Sequence, residues 1–191
     1  MSPRSNEAMR RANRMRLAML ALAFLGTAAL AVGLRLSGWQ PPGTRVHGEL
    51  LQPPGDLRAL SPVTAQGSLY AWNPSARIWR IAIAAPDCSG LHALGCAQAL
   101  DAVDKVWRLT GRHASRVHVL WIGTLPTEQR PNTLRAIRPD PKLLQALPRS
   151  DVSTGPPVYL IDPNGFVVLR YAPGFDPADL RTDLARLLKL R

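Results

Sequence analysis

The chain has 191 residues, of which 46% are hydrophobic, and a formal net charge of +11. The first 35 residues hold six of its 24 basic groups and one of its 13 acids, so they contribute +5 and leave +6 for the rest. These remaining charges are scattered, without aromatic interleaving or a recognition-helix pattern, so we expect no nucleic acid partner. We expect a basic surface that faces anionic lipid headgroups or an acidic partner.

The N-terminus predicts a membrane anchor. Residues 17–34 carry no charge, and as a helix they would span about 27 Å, enough to cross a bilayer. Residues 1–16 hold five arginines and one acid, Glu7, so the positive-inside rule keeps them in the cytoplasm and sends the rest across. A cleaved signal peptide is the alternative, because Ala29-Leu30-Ala31 is typical of a cleavage site.

Beyond the anchor, residues 35–56 predict an extended tether, since they contain Pro41-Pro42-Gly43 and Pro53-Pro54-Gly55. The folded unit is then predicted at residues 57–191, which is enough chain for one domain with a real core.

Within that unit, a strand, a helix and a second strand are predicted in succession. Residues 78–85, with an uninterrupted apolar run at 81–85, favour a central strand that is buried on both faces. An amphipathic helix follows at residues 96–110, and residues 116–122 form the next strand. Strand, helix and strand in this order indicate a parallel crossover unit.

The second half of the unit carries a hairpin and a terminal helix. Four prolines predict an irregular excursion at residues 124–141, followed by a short helix at 142–147. Residues 158–161 and 166–171 flank an Asn-Gly turn and predict a β-hairpin. Asp176 is predicted to cap a last helix whose buried stripe is formed by Leu180, Leu184, Leu187 and Leu188. This order is that of an α/β thioredoxin-like fold, a central β-sheet with flanking helices, behind one N-terminal transmembrane helix.

The two cysteines, Cys88 and Cys96, follow the first of these strands. Seven residues lie between them, a spacing that matches neither the redox motif Cys-x-x-Cys nor a standard zinc motif. In a continuous helix they would lie about 12 Å apart along the axis, too far for a disulfide. A disulfide therefore requires an unwound loop, which Gly90 and Gly95 permit.

The residues leave three kinds of chemistry open for this loop. His92 lies four residues from each cysteine, and two thiolates with one imidazole would suit Cu(I) or Zn(II), which makes Cys88, Cys96 and His92 candidate metal ligands. The two thiols could instead exchange with a client as a catalytic pair, with Cys88 as the exposed thiol. They could also form a static bond that only pins the loop.

Four segments carry a resemblance to a known family. They are Ala85-Pro86-Asp87-Cys88 after the strand, Tyr159-Leu160-Ile161-Asp162-Pro163-Asn164-Gly165 at the hairpin, the leucine-rich last helix, and His47-Gly48-Glu49-Leu50-Leu51. Over roughly residues 44–191 the chain resembles membrane-anchored thioredoxin-like proteins of the Sco/SenC class, and more closely the small Sco-like proteins associated with cytochrome c oxidase assembly in proteobacteria.

The resemblance implies a domain in the periplasm, held at the bacterial inner membrane through residues 17–34, that handles copper or thiols for a respiratory oxidase subunit or other assembly factors. Such a protein would act as a thiol-disulfide oxidoreductase or a copper chaperone. Copper-binding members use Cys-x-x-x-Cys and a histidine, and Thr154 stands at the position of that histidine. Pro156 or Pro157 would be the cis proline that thioredoxin-like proteins place beside their cysteines. The alternative is a non-catalytic docking scaffold with structural cysteines.

Overall fold

A computed structural model describes residues 3–38, 46–125, 131, 133–152 and 154–189. The chain divides into two compact units, residues 1–45 and 46–191. The first unit contains helix α1 (Pro3–Leu36). Its segment Asn13–Leu36 has a mean hydropathy of 2.3 and is long and apolar enough to cross a membrane. A signal sequence near the N-terminus meets the same criterion.

The second unit is built on a mixed six-stranded sheet with the strand order β1-β6-β5-β2-β3-β4. Strands β2, β3 and β4 run parallel to one another, while β5 pairs antiparallel with β2 and β6, and β6 pairs antiparallel with β1. The elements, in chain order, are β1 (Glu49–Asp56), β2 (Trp79–Ala85), α2 (Ala93–Leu109), β3 (Val117–Gly123), β4 (Leu134–Ile137), α3 (Pro141–Gln145), β5 (Val158–Ile161), β6 (Phe166–Tyr171) and α4 (Pro177–Leu187).

Strand β2 lies at the centre of the sheet, and every one of its residues is buried. Ile81 and Ile83 pack into a cluster that includes residues of α2 and α4. Ala82 and Ala84 face the opposite side, in a cluster that contains Leu57. Because both faces are covered, apolar residues occupy every position of β2 except Arg80, and this produces the uninterrupted apolar run at residues 81–85. The predicted central strand is confirmed.

The predicted hairpin and terminal helix are also confirmed. The Oδ1 atom of Asp162 accepts hydrogen bonds from the backbone N–H groups of Gly165 and Phe166, both at 2.8 Å. These bonds close the turn between β5 and β6. Asp176 caps α4 by accepting a hydrogen bond from the N–H of Ala178. Three of the four predicted leucines, Leu180, Leu184 and Leu188, are buried.

The structure corrects the tether prediction for residues 49–56, which form β1 and pair with β6. The sequence predicted a tether here because Pro53 and Pro54 are typical of loops and not of strands. They are tolerated because β1 is an edge strand and its register shifts between Leu50 and Gly55, so their missing N–H groups break no ladder. The compact unit therefore begins at Val46 and not at residue 57. Residues 39–45 of the predicted tether lie outside the described residues.

A second edge strand, β4, lies inside the stretch 124–141 that we expected to be irregular. It pairs parallel with β3 through residues Leu134–Ile137. Four residues are too few to show the period of a strand above the surrounding prolines. Residues 126–130 and 132 of the same stretch lie outside the described part of the chain. The short helix that follows, α3, begins at Pro141 with Asp140 as its cap.

Candidate active site at the disulfide

Cys88 and Cys96 are joined by a disulfide at the carboxyl end of β2. Their Cα atoms are 5.8 Å apart, within the range that a disulfide tolerates. The structure thus selects an oxidised pair among the states that the sequence left open. Closing a loop of this length is expected to stabilise the domain by about 2 to 3 kcal/mol in the chain-entropy picture.

The chain reaches this geometry by folding back before α2 begins. The carboxylate of Asp87 accepts a hydrogen bond from the N–H of Ser89 at 2.8 Å, which turns the chain directly after β2. Gly90 follows with a φ of +52°, a conformation that glycine adopts without steric cost. A short 3-10 turn, Gly90–His92, then leads into α2 at Ala93. Cys96 therefore sits in the first turn of α2, as predicted, and the loop is unwound, as a disulfide requires.

Both sulfurs belong to the hydrophobic core rather than to the surface. Cys88 is 7% exposed and Cys96 is 1% exposed, and both pack with residues of α2 and α4. The expectation of an exposed Cys88 is therefore wrong in absolute terms, because the apolar side chains around the strand end cover both sulfurs. Of the two residues, Cys88 is the more exposed.

A cavity of about 250 Å³ opens beside the disulfide. Its lining includes Asp87, His92 and Cys96 from the segment around the disulfide, and Ser150 and Asp151 from the chain before β5. The hydrogen bond from Ser89 is the main reason that the pKa of Asp87 lies below its usual value, and the nearby His92 lowers it further. The carboxylate is therefore ionised at neutral pH. Sequence reasoning did not find the part of the lining at Ser150 and Asp151, because nothing local connects it to the cysteines.

The candidate metal ligands are only partly brought together. His92 and Cys96 line the same cavity, but the sulfurs are bonded to each other and are not thiolates. Among the residues that the structure describes, no group of three or more His, Cys, Asp or Glu side chains is arranged to hold a metal ion. After reduction, two thiolates and one imidazole would be a donor set of the soft kind that suits Cu(I).

The loop before β5 packs directly on the start of α2. A Cβ atom on Gly95 would lie 3.5 Å from the Cα of Gly155. Gly155 and Pro156 border both the cavity beside the disulfide and a second groove of about 340 Å³. The peptide bonds before Pro156 and Pro157 are trans, since Gln52–Pro53 is the single cis bond in the described part of the chain. The expectation of a cis proline here is wrong, although the loop itself lies beside the cysteines as expected.

One buried carboxylate, Asp183 of α4, was missed by sequence reasoning. It is 0% exposed and accepts hydrogen bonds from the backbone N–H groups of His47 and Gly48 and from the hydroxyl of Tyr171, at 2.8, 2.9 and 2.8 Å. His47, which we had placed in the tether, therefore belongs to the folded unit. The available signal was the position of Asp183 on the buried face of α4, three residues after Leu180.

These features define a protein of thioredoxin fold with a cysteine pair at the end of its central strand. Residues 79–191 match the family model described as transmembrane-like, thioredoxin-like, C-terminal domain. The chain belongs to this family. No curated protein sequence matches it.

Several solved structures share the fold. BsSco, a member of the Sco family of cytochrome c oxidase assembly proteins in which a disulfide switch was identified, aligns with a TM-score of 0.54 and 11% identity over 75% of this chain and 98% of its own. Yeast Sco1 with copper bound aligns with a TM-score of 0.52 and 14% identity, over 78% and 96% of the two chains. A SCO1/SenC family lipoprotein from Bacillus anthracis aligns with a TM-score of 0.50 and 16% identity, over 73% and 99%. These TM-scores establish a common fold and nothing beyond it, and the resemblance to the Sco/SenC class is confirmed at that level.

Proposed function

We propose that this chain is a membrane-tethered, thioredoxin-like assembly factor for cytochrome c oxidase that handles client thiols or copper through Cys88 and Cys96. In this proposal residues 1–16 are cytoplasmic, residues 17–34 span the bacterial inner membrane, and the folded domain lies in the periplasm. The observation that carries it is the disulfide at the end of β2, placed beside an open cavity.

The proposed thiol chemistry assigns different roles to the two cysteines. In the reduced protein, the Cys88 thiolate attacks one sulfur of a client disulfide, a mixed disulfide forms, and the other client sulfur leaves as a thiolate. The Cys96 thiolate then attacks the Cys88 sulfur, which releases the second client thiolate and restores the intramolecular bond. Two electrons pass to the client, and an external dithiol must return them. The greater exposure of Cys88 supports its role as the attacking group.

Two exposed leucines support client docking beside the disulfide. Leu91 is 99% exposed and Leu94 is 69% exposed, and both lie in the sequence between the cysteines. Apolar groups at this place would bring the backbone of a client within reach of Cys88. The same surface would also serve a scaffold that docks a partner without exchange, so the experiment has to separate the two functions.

An exchange assay on the full chain in detergent separates them. The reduced protein is mixed with an oxidised two-cysteine peptide, and thiols are counted by alkylation and intact mass. We expect the wild type to reduce the peptide stoichiometrically, Cys96→Ser to accumulate a mixed disulfide at Cys88, and Cys88→Ser to react at least about tenfold more slowly. Ser75→Ala, at an exposed serine outside the cysteine loop, is the control and should behave as the wild type. A peptide that remains oxidised with every variant would exclude exchange and favour the scaffold.

Copper handling is tested with the same variants. The reduced full chain is titrated anaerobically with Cu(I) against a competing chelator. We expect one Cu(I) per chain, a loss of at least about a hundredfold in affinity for Cys88→Ser and for Cys96→Ser, and a smaller loss for His92→Asn, because thiolates are the stronger Cu(I) donors. His113→Asn, a histidine outside the loop, should bind as the wild type. Equal affinity in all variants would rule out copper binding by the cysteine loop.

A further inference from the structure

A polar cavity of about 580 Å³ lies at the amino-terminal edge of the parallel strands, the opposite end of the sheet from the disulfide. Its lining includes the hydroxyl side chains of Thr64, Ser68, Ser115 and Thr133 together with His118 and Arg135. Among the described residues no aspartate or glutamate lines this cavity. The arrangement offers hydrogen-bond donors and positive charge without any anionic partner.

A buried arginine behind the cavity adds further positive charge. Arg80 is 1% exposed, and its Nη1 donates to the carbonyl oxygens of Asp162 and Pro163 at 2.9 and 3.0 Å. Its guanidinium also lies 5.3 Å from the ring centre of Trp72. The described part of the chain places no carboxylate in an ion pair with it. Dipoles and ring faces therefore solvate this charge without neutralising it, and its field extends to neighbouring groups.

Two consecutive hydrogen bonds connect Arg80, through Tyr70, to His118 in the lining of the cavity. The Nε of Arg80 donates to the hydroxyl oxygen of Tyr70 at 3.0 Å. The hydroxyl proton of Tyr70 is then free to be donated to Nδ1 of His118, 2.9 Å away. Burial, with the charges of Arg135 and Arg80, lowers the pKa of His118 to about 4, so the ring is neutral at pH 7. A neutral ring that accepts at Nδ1 carries its proton on Nε2.

His118 and Arg135, which lie where this series of hydrogen bonds reaches the cavity, are consequently both hydrogen-bond donors. Nε2 of His118 faces Nη2 of Arg135 at a distance of 3.4 Å, longer than an ordinary N–H hydrogen bond. With protons on both nitrogens, neither can accept from the other. An oxygen atom of an anion placed beside them would accept from both.

We propose that this cavity binds a phosphate-class oxyanion, with one of its oxygens accepting from the N–H of His118 and from the guanidinium of Arg135. A tetrahedral oxyanion offers further acceptors to the hydroxyl groups of the lining, and arginine is well suited to such groups. The site is separate from the disulfide, so its occupancy does not depend on the proposed redox chemistry. Both free phosphate and a phosphate ester carry the same recognition group.

The test follows the four histidines of the full chain, labelled with ¹³C, in a non-ionic maltoside detergent that contributes no phosphate. Sodium phosphate is added at pH 7 and compared with sodium chloride of equal ionic strength. We expect a saturable shift of the His118 signal that chloride does not produce. The anion should also raise the pKa of His118, because it offsets the charges of Arg135 and Arg80. No phosphate-specific shift of His118 would overturn the proposal.

Two arginine variants test whether the phosphate-induced shift of the His118 signal comes from binding in this cavity. Arg135→Gln removes the charge of an exposed side chain whose only described polar contact is with His118, and it should weaken phosphate binding at least about tenfold. Arg181→Gln, which removes the same charge from the exposed face of α4, should leave binding unchanged. Equal binding by both variants would reject the site. Stronger binding of glycerol phosphate than of inorganic phosphate would assign the site to phosphate esters, and the reverse would assign it to the free ion.

Discussion

Replacement of Gly123 by alanine is expected to destabilise the domain severely, by on the order of 3 kcal/mol or more. Gly123 ends β3, pairs with Ala85 at the end of β2, and has a φ of +132°. A Cβ atom at this position would lie 1.8 Å from the carbonyl oxygen of Ala85 and 2.9 Å from the Cα of Pro86. These are backbone atoms, so no side-chain rotation can relieve the overlap. The strand end that carries Cys88 would have to move.

The measurement is urea unfolding of the full chain in detergent, followed by circular dichroism, together with the rate at which dithiothreitol reduces the disulfide. Gly111→Ala is the control, because Gly111 also has a positive φ of +54° but no atom lies within 4 Å of its added Cβ. Only the left-handed conformation is penalised there, at a cost of about 1 kcal/mol. Faster reduction in Gly123→Ala alone would show that the strand end is displaced. Similar losses in the two variants would contradict the steric argument.

The parts of the fold that the sequence predicted are those with a strong local signal. Strand β2 is buried on both faces and apolar at every position except Arg80, and the hairpin turn is specified by the side chain of Asp162 and by Gly165. The two missed strands, β1 and β4, are both edge strands. On its outer side, among the described residues, β4 has only an isolated bridge between Ile137 and Thr64, and β1 contains two prolines at a register shift. Local patterns therefore describe the centre of this sheet better than its margins.

In the candidate site, too, the features with a local sequence signal were predicted and those without one were not. The cysteines and their need for an unwound loop follow from the spacing alone, and the structure confirms that loop. Which cysteine is more exposed, and the presence of Ser150 and Asp151 in the lining of the cavity, depend on segments that are far apart in the chain. The contact between Tyr70 and His118 joins residues 48 positions apart. Such contacts leave no periodic signal, so they require the folded structure.

The largest electrostatic effect is expected at Asp183, where Asp183→Asn should cost roughly 2 to 4 kcal/mol. The carboxylate accepts from two backbone N–H groups and from the hydroxyl of Tyr171. The three donors converge on Oδ2, so an amide that keeps its oxygen there offers them a neutral acceptor in place of a carboxylate. Its N–H₂ group then replaces Oδ1 and faces Nδ1 of His47 and Nη1 of Arg186, at 3.1 and 3.6 Å, where the Arg186 guanidinium cannot accept. The bonds also hold residues 47 and 48 against α4, so their weakening should release the beginning of the folded unit.

The pH dependence of stability provides a second, independent readout. Burial alone would raise the pKa of Asp183, but the hydrogen bonds from Gly48, Tyr171 and His47 outweigh it and hold this pKa below its usual value. Its contribution is therefore complete above the unfolded pKa of about 3.9 and is lost as the pH falls through the lower folded value. In urea titrations of the full chain between pH 7 and pH 2, the wild type should lose stability below about pH 4 more steeply than Asp183→Asn.

Asp179→Asn provides the matched control, since Asp179 lies on the same helix, is 44% exposed, and contacts Nε2 of His47 at 3.7 Å. An exposed pair of this kind contributes less than about 1 kcal/mol. Amide exchange at His47 and Gly48 should rise in Asp183→Asn and stay at the wild-type level in Asp179→Asn. If Asp183→Asn retained both the stability and the acid slope of the wild type, the buried carboxylate would not be what fixes the start of the domain on α4.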